Sequence, residues 1–213
     1  MELNAETKSV NEILSLNNRY VVPRFQREYS WGQEEIKEFW EDIFQQLEID
    51  EEKNEIKHNE YFIGCIVLVG DESKPEYLIV DGQQRLTTLT ILLRAIVERF
   101  KDLKEESAAQ GLHQNVIQGV NDDGDKFFKL KNESPKPFFQ NEIQAFSPEN
   151  LGSPKSDEEK LIKEAFEFFK TKVDDVKING FTDVEIVKAI RTQIEDICEE
   201  KIKRGKEEGR EEG

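Results

Sequence analysis

Residues 77–90 read Tyr-Leu-Ile-Val-Asp-Gly-Gln-Gln-Arg-Leu-Thr-Thr-Leu-Thr, and they decide the fold. Positions 77–80 have the β-branched and aromatic content of a strand, and Asp81-Gly82 is a pair favoured in tight turns. From there Leu86, Leu89, Leu93, Ile96, Val97 and Phe100 recur at three- and four-residue steps, the period of a helix with one apolar stripe. The spacing therefore predicts strand, turn, helix. Asp81, Gly82, Gln83, Gln84 and Arg85 crowd the junction, where unpaired N–H groups and the positive end of the helix dipole attract an anion. Arg85 and Thr88, three apart, share a face of that helix. A plainer reading makes Asp81 the helix cap and leaves Arg85 solvated. Three long hydrogen-bonding side chains in succession between two apolar elements favour an anion site without excluding the cap.

Working outward, a short helix is expected within residues 1–19, and residues 20–25 read as a strand in which Pro23 marks an edge or an end. Gln26-Arg27-Glu28-Tyr29 follows. Ser30 to Gln33 fits a capping box that opens an amphipathic helix with Ile36, Phe39, Trp40, Ile43 and Leu47 on one side. The acidic residues 50–60 read as a loop. Residues 61–69 are nearly all apolar and predict a strand buried on both faces, in which Gly64 marks the close approach of another backbone or a ligand. A loop over residues 70–76 would then join this strand to 77–80 as an antiparallel pair. The expected order is strand, helix, strand, strand, helix: a small α/β (α+β) layer with the junction at the head of its last helix.

Beyond Lys101 the character changes, and we divide the chain into a domain over 1–102 that carries the Asp81–Arg85 junction and a mainly helical extension over 103–213. Residues 119–126 lack the Lys-Ser/Thr of a phosphate loop and the spacing of a calcium loop, so they read as a turn. Residues 127–130 predict a short strand, 138–145 a short helix and 147–154 a loop. Two long helices follow, with capping boxes at Ser156/Glu159 and Thr182/Glu185. The first is expected to bury Leu161, Ile162, Ala165, Phe166, Phe169 and Val173, and the second Ile186, Val187, Ile190, Ile194 and Ile197. Residues 201–213, a charged tail without an apolar stripe, are expected to fray.

Three blocks carry a family resemblance. Asp-Gly-Gln-Gln-Arg-Leu-Thr-Thr-Leu at 81–89 resembles the signature of the N-terminal domain of GmrSD-type, modification-dependent restriction systems. Val-Pro-Arg-Phe-Gln-Arg-Glu-Tyr-Ser-Trp at 22–31 resembles the upstream block of that family, and Tyr-Phe-Ile-Gly-Cys-Ile-Val at 61–67 its central strand. The resemblance implies a ParB/sulfiredoxin-like fold and the binding and hydrolysis of a nucleoside triphosphate. It also implies a role in phage defence, with a nuclease domain or subunit outside this chain.

Composition narrows the classes. The 213 residues carry a net charge of −16, which repels bulk nucleic acid. Residues 32–60 alone hold eleven acidic and three basic side chains, whereas the first 31 residues balance at four of each sign. Cys65 and Cys198 stand far apart and His58 and His113 stand alone, so neither a disulfide framework nor a histidine metal site is expected. No secretory signal or membrane-length apolar run is visible, and a cytoplasmic location is expected.

Triphosphate hydrolysis needs groups that hold phosphates, a group that orients water and positive charge where charge develops. The candidate catalytic residues are Asp81, Gln84 and Arg85: Asp81 to hold magnesium or act on water, a glutamine to orient water and Arg85 to grip phosphate. Gly82, Gln83, Thr87 and Thr88 are candidate nucleotide contacts, and Gln26 and Arg27 add a second contribution from the upstream block. Two other classes stay open, a nucleotide sensor that does not hydrolyse and a DNA-contacting ParB-like regulatory module.

Overall fold

A computed structural model describes residues 3–70, 74–133, 138–148 and 152–204. It has a mixed α+β architecture built on one six-stranded sheet. In chain order the first elements are β1 (Leu3–Ser9), α1 (Val10–Leu14), β2 (Arg19–Val22), α2 (Gln33–Phe44), β3 (Leu47–Asp50), β4 (Glu55–His58), β5 (Phe62–Gly70), β6 (Glu76–Asp81) and α3 (Gln83–Asp102). There follow α4 (Glu106–Leu112), a π-helical turn (His113–Ile117), β7 (Gln118–Val120), β8 (Lys126–Phe128), β9 (Leu130–Asn132) and a second π-helical turn (Phe139–Gln144). The chain closes with α5 (Asp157–Asp175), α6 (Asp183–Glu195) and β10 (Cys198–Arg204). The sheet runs β1-β10-β5-β6-β2-β9, while β3-β4 and β7-β8 are separate hairpins.

The deciding stretch folds as its pattern requires: β6 ends at Asp81, Gly82 takes φ +89°, and α3 begins at Gln83. β6 pairs antiparallel with β5 and parallel with β2. α3 is more central than one stripe suggests. Ile91, Leu92 and Ala95 are buried along with Leu86, Leu89, Leu93, Ile96, Val97 and Phe100, because α4, α5 and α6 enclose the helix. Arg94 is buried there too, paired with Glu98 at 2.6 Å and donating from Nε to Ala145 O.

Several expectations need correction. Residues 3–9 form a strand, and only 10–14 form the expected helix. β2 stops at Val22, where the chain turns with Gln26 N donating to Pro23 O. Gly32, not Ser30, precedes α2, and the Glu35 carboxylate accepts from its N–H at 2.8 Å. Leu47 belongs to β3, and the acidic loop is a hairpin whose turn uses Asn54 at φ 51°. β5 packs one face only. Ile66 and Leu68 are buried, but Leu78 and Val80 beside it on β6 are exposed, because the helices cover a single side.

The segment after residue 102 adds β9 and β10 to the same sheet, so the proposed division falls between α3 and α4 within one layer system. Residues 201–204, the start of the tail expected to fray, belong to β10, which lies between β1 and β5. Its ladder bonds come from the main chain, which an apolar stripe does not report. Residues 71–73, 149–151 and 205–213, parts of two expected loops and the tail, lie outside the described residues. α5 and α6 carry the expected caps, Ser156 and Thr182, although Leu161 is only half-buried. Among the described residues no helix is long and apolar enough to cross a membrane.

Lys129 is 3% exposed and has no carboxylate partner among the described residues; its ammonium donates to Leu14 O and Asn115 O. Burial lowers its pKa from 10.5 to about 8. Between those values the unfolded chain binds the proton that the folded chain has lost, so stability rises with pH across that window. Below it the charged, buried form costs on the order of 3 kcal/mol. The denaturant midpoint of wild type relative to Lys129→Met should stay level below about pH 8 and rise from there towards pH 10. Parallel profiles would refute this account.

Candidate functional site

A cavity of about 450 Å³ opens at the start of α3, lined by Gln26, Arg27, Trp31, Asp81, Gly82, Gln83, Gln84 and Arg85. The signature and the upstream block thus meet, and hydrogen bonds hold them together. Gln26 Nε2 donates to Val80 O at 3.1 Å, and Gln83 Nε2 to Arg27 O at 2.7 Å. Gln84 Nε2 donates to Glu28 O at 3.1 Å while its Oε1 accepts from Ser30 N at 2.9 Å. Tyr29 is buried beneath them, its hydroxyl 2.9 Å from Thr88 Oγ1 and its N–H donating to Glu158. Burial holds the Tyr29 phenol neutral by pushing its pKa well up.

Gly82 is required here. Its φ is +89°, and a Cβ would meet Ile66 Cγ1 at 2.9 Å and Cys65 O at 3.1 Å. No side chain caps α3 at Gly82, so Asp81 is not the cap. Among the described residues the Asp81 carboxylate makes no hydrogen bond. The first turn of α3, Gln83 to Arg85, lines the cavity, with the positive end of a 20-residue helix behind it.

Arg85 does more than line the cavity. Its Nη1 donates to Ile63 O at 3.0 Å and its Nη2 to Cys65 O, so the guanidinium straddles Gly64 on β5. Gly64, expected to mark the approach of another backbone or a ligand, makes room for this side chain instead, because a Cβ there would collide with Arg85 Nη1. Arg27, by contrast, is exposed and has no ion pair among the described residues.

Both ends of the Gln84 amide are committed to residues 28–30, so this side chain latches the upstream block rather than facing a water molecule. Gln83 differs. It is 7% exposed, and among the described residues its buried Oε1 has no partner. The bond to Arg27 O fixes the amide and leaves that oxygen as an acceptor for something else. Thr88 Oγ1 donates to Gln84 O at 2.8 Å, and neither Thr87 nor Thr88 lines the cavity.

Trp31 was missed as a site residue. Its ring packs edge-on to Phe39 with centroids 5.6 Å apart, yet it also forms a cavity wall. The signal was present at the end of the upstream block, but an aromatic beside a helix start reads first as core.

No curated protein matches the chain. Residues 10–205 match the family model described as GmrSD restriction endonuclease, N-terminal domain. That match covers every strand of the sheet except β1, the enclosed helix and the cavity between the two blocks, and the chain belongs to the GmrSD N-terminal domain family.

Proposed function

We propose that this restriction-system domain binds a nucleoside triphosphate, with its phosphates over the Gly82–Arg85 turn, and hydrolyses the terminal phosphoanhydride. The observation that carries this reading is the uncapped start of α3 facing a cavity of nucleotide size beside the unpaired guanidinium of Arg27. Arg27 and the first-turn N–H groups hold phosphate oxygens. Arg85, fixed on β5, adds positive charge from the opposite wall, and Trp31 offers a face for the base. Gln84, Thr88 and Tyr29 position the upstream block and do not touch phosphate.

In the hydrolytic step a water oxygen forms a bond to the terminal phosphorus, and the bond from phosphorus to the bridging oxygen breaks. Asp81 takes the proton from water, and Arg27 with the helix start stabilises the charge left on the diphosphate. Asp81 and the orphan Oε1 of Gln83 are hard oxygen donors that fit magnesium completed by phosphates and water. Bound there, magnesium would neutralise phosphate charge. The nuclease chemistry of the system belongs to another domain or subunit in this reading.

Arg27→Ala should leave the melting temperature unchanged and weaken triphosphate binding about tenfold or more, since one charge-assisted hydrogen bond contributes roughly 1.5–3 kcal/mol. Asp81→Asn should retain binding and slow phosphate release. Calorimetry with ATP and GTP in magnesium, together with a phosphate-release assay, measures both. Binding without release in wild type would identify a nucleotide sensor; unchanged affinity in Arg27→Ala would overturn the placement.

A further inference from the structure

At the β9 edge of the sheet lies a second cavity, of about 480 Å³, walled by Arg19, Arg24, Lys131, Phe127, Phe128 and Gln140, with one carboxylate, Glu133, also in its lining. Three cations on one small surface are unusual in a chain of net charge −16. Each is presented differently. Arg19 lies 4.7 Å over the Phe127 ring centroid and meets Glu76 at 3.5 Å. Arg24 is tethered through Nε to Glu133 O at 2.9 Å, which leaves both Nη groups to face outward. Among the described residues neither Arg24 nor Lys131 has a carboxylate within ion-pair distance.

Gln140 supplies a separate observation. Its Nε2 donates to Asn132 O at 2.7 Å, which fixes the amide, and among the described residues its buried Oε1 has no donor. Buried acceptors are normally satisfied, and this oxygen is open to a ligand donor at the cavity wall. We infer that this cavity binds a small phosphorylated ligand with a planar ring, of the nucleoside monophosphate class. The phosphate sits between Arg24 and Lys131, the ring lies along the phenylalanine wall, and a hydroxyl or amino group donates to Gln140 Oε1.

The cavity shares no lining residue with the signature cavity and does not depend on what that one binds. A smaller space of about 290 Å³ lies between them, and Glu28 and Glu158 are in its wall. Those carboxylates interrupt the cationic lining, which favours two discrete sites over one track for a polyanion.

Titrating AMP, inorganic phosphate and a single-stranded oligodeoxynucleotide into 15N-labelled protein tests this. AMP should shift the amides of residues 127–133 and 140 saturably, with inorganic phosphate binding more weakly at the same place. Lys131→Glu, an exposed change, should weaken AMP at these amides about tenfold or more while leaving triphosphate-induced shifts at residues 82–85 intact. No saturable AMP shift, an unaltered response in Lys131→Glu, or equal affinity for phosphate and AMP would overturn the assignment. Saturation by the oligonucleotide where AMP fails would replace it with a polymer site.

Discussion

Gly64→Ala is expected to destabilise the protein by about 4 kcal/mol, combining left-handed backbone strain with the loss of buried hydrogen bonds. Gly64 has φ +116°, and its missing Cβ is replaced by Arg85 Nη1, 1.8 Å from where that carbon would stand. The guanidinium must move, which releases the carbonyls of Ile63 and Cys65 that it holds. Arg85→Ala alone should cost about 2 kcal/mol by orphaning the same carbonyls. The double variant removes the clash but keeps the strain, so it should be clearly less destabilised than the sum. Urea midpoints of the four proteins measure this coupling. Additivity would mean that Arg85 and the residue-64 side chain do not compete for one space. A nucleotide-induced thermal shift should shrink in all three variants, because Arg85 forms one wall of the cavity.

What the sequence disclosed depended on how local the determining contact was. The period of α3, the Asp81-Gly82 break and the caps Ser156 and Thr182 are set within a few residues and were readable. The grouping of residues 81–85 with 26–27 was suggested by resemblance, and the hydrogen bonds to Val80, Arg27 and Glu28 now show how the two blocks are joined. β10 was not readable, since its partners β1 and β5 lie more than a hundred residues away along the chain. Nor was the seat of Arg85. A glycine in an apolar strand announces a close approach but not the side chain that makes it. Arg94 is the sharpest case: no local pattern marks it as a core residue, yet it is enclosed there with Glu98 and two carbonyls as partners.

Gln84→Leu should separate a latch from a water-orienting residue. The side chain is 7% exposed, and its amide both donates to Glu28 O and accepts from Ser30 N. Leucine keeps the volume but leaves a backbone acceptor and a backbone donor unpaired. At roughly 1–3 kcal/mol each, stability should fall by about 4 kcal/mol or, if residues 23–31 instead lift into water, by less. Lifting carries Arg27 and Trp31 away from the helix start, because both ride on that segment. Triphosphate affinity should then fall at least tenfold, and a protease should cut within residues 23–31 more readily than in wild type. Gln84→Glu should fall between the two, since a carboxylate still accepts from Ser30 N but opposes Glu28 O. A residue that only oriented water would give another pattern: normal affinity, normal proteolysis and slower phosphate release. That pattern would return Gln84 to the catalytic group and leave another contact to hold the upstream block.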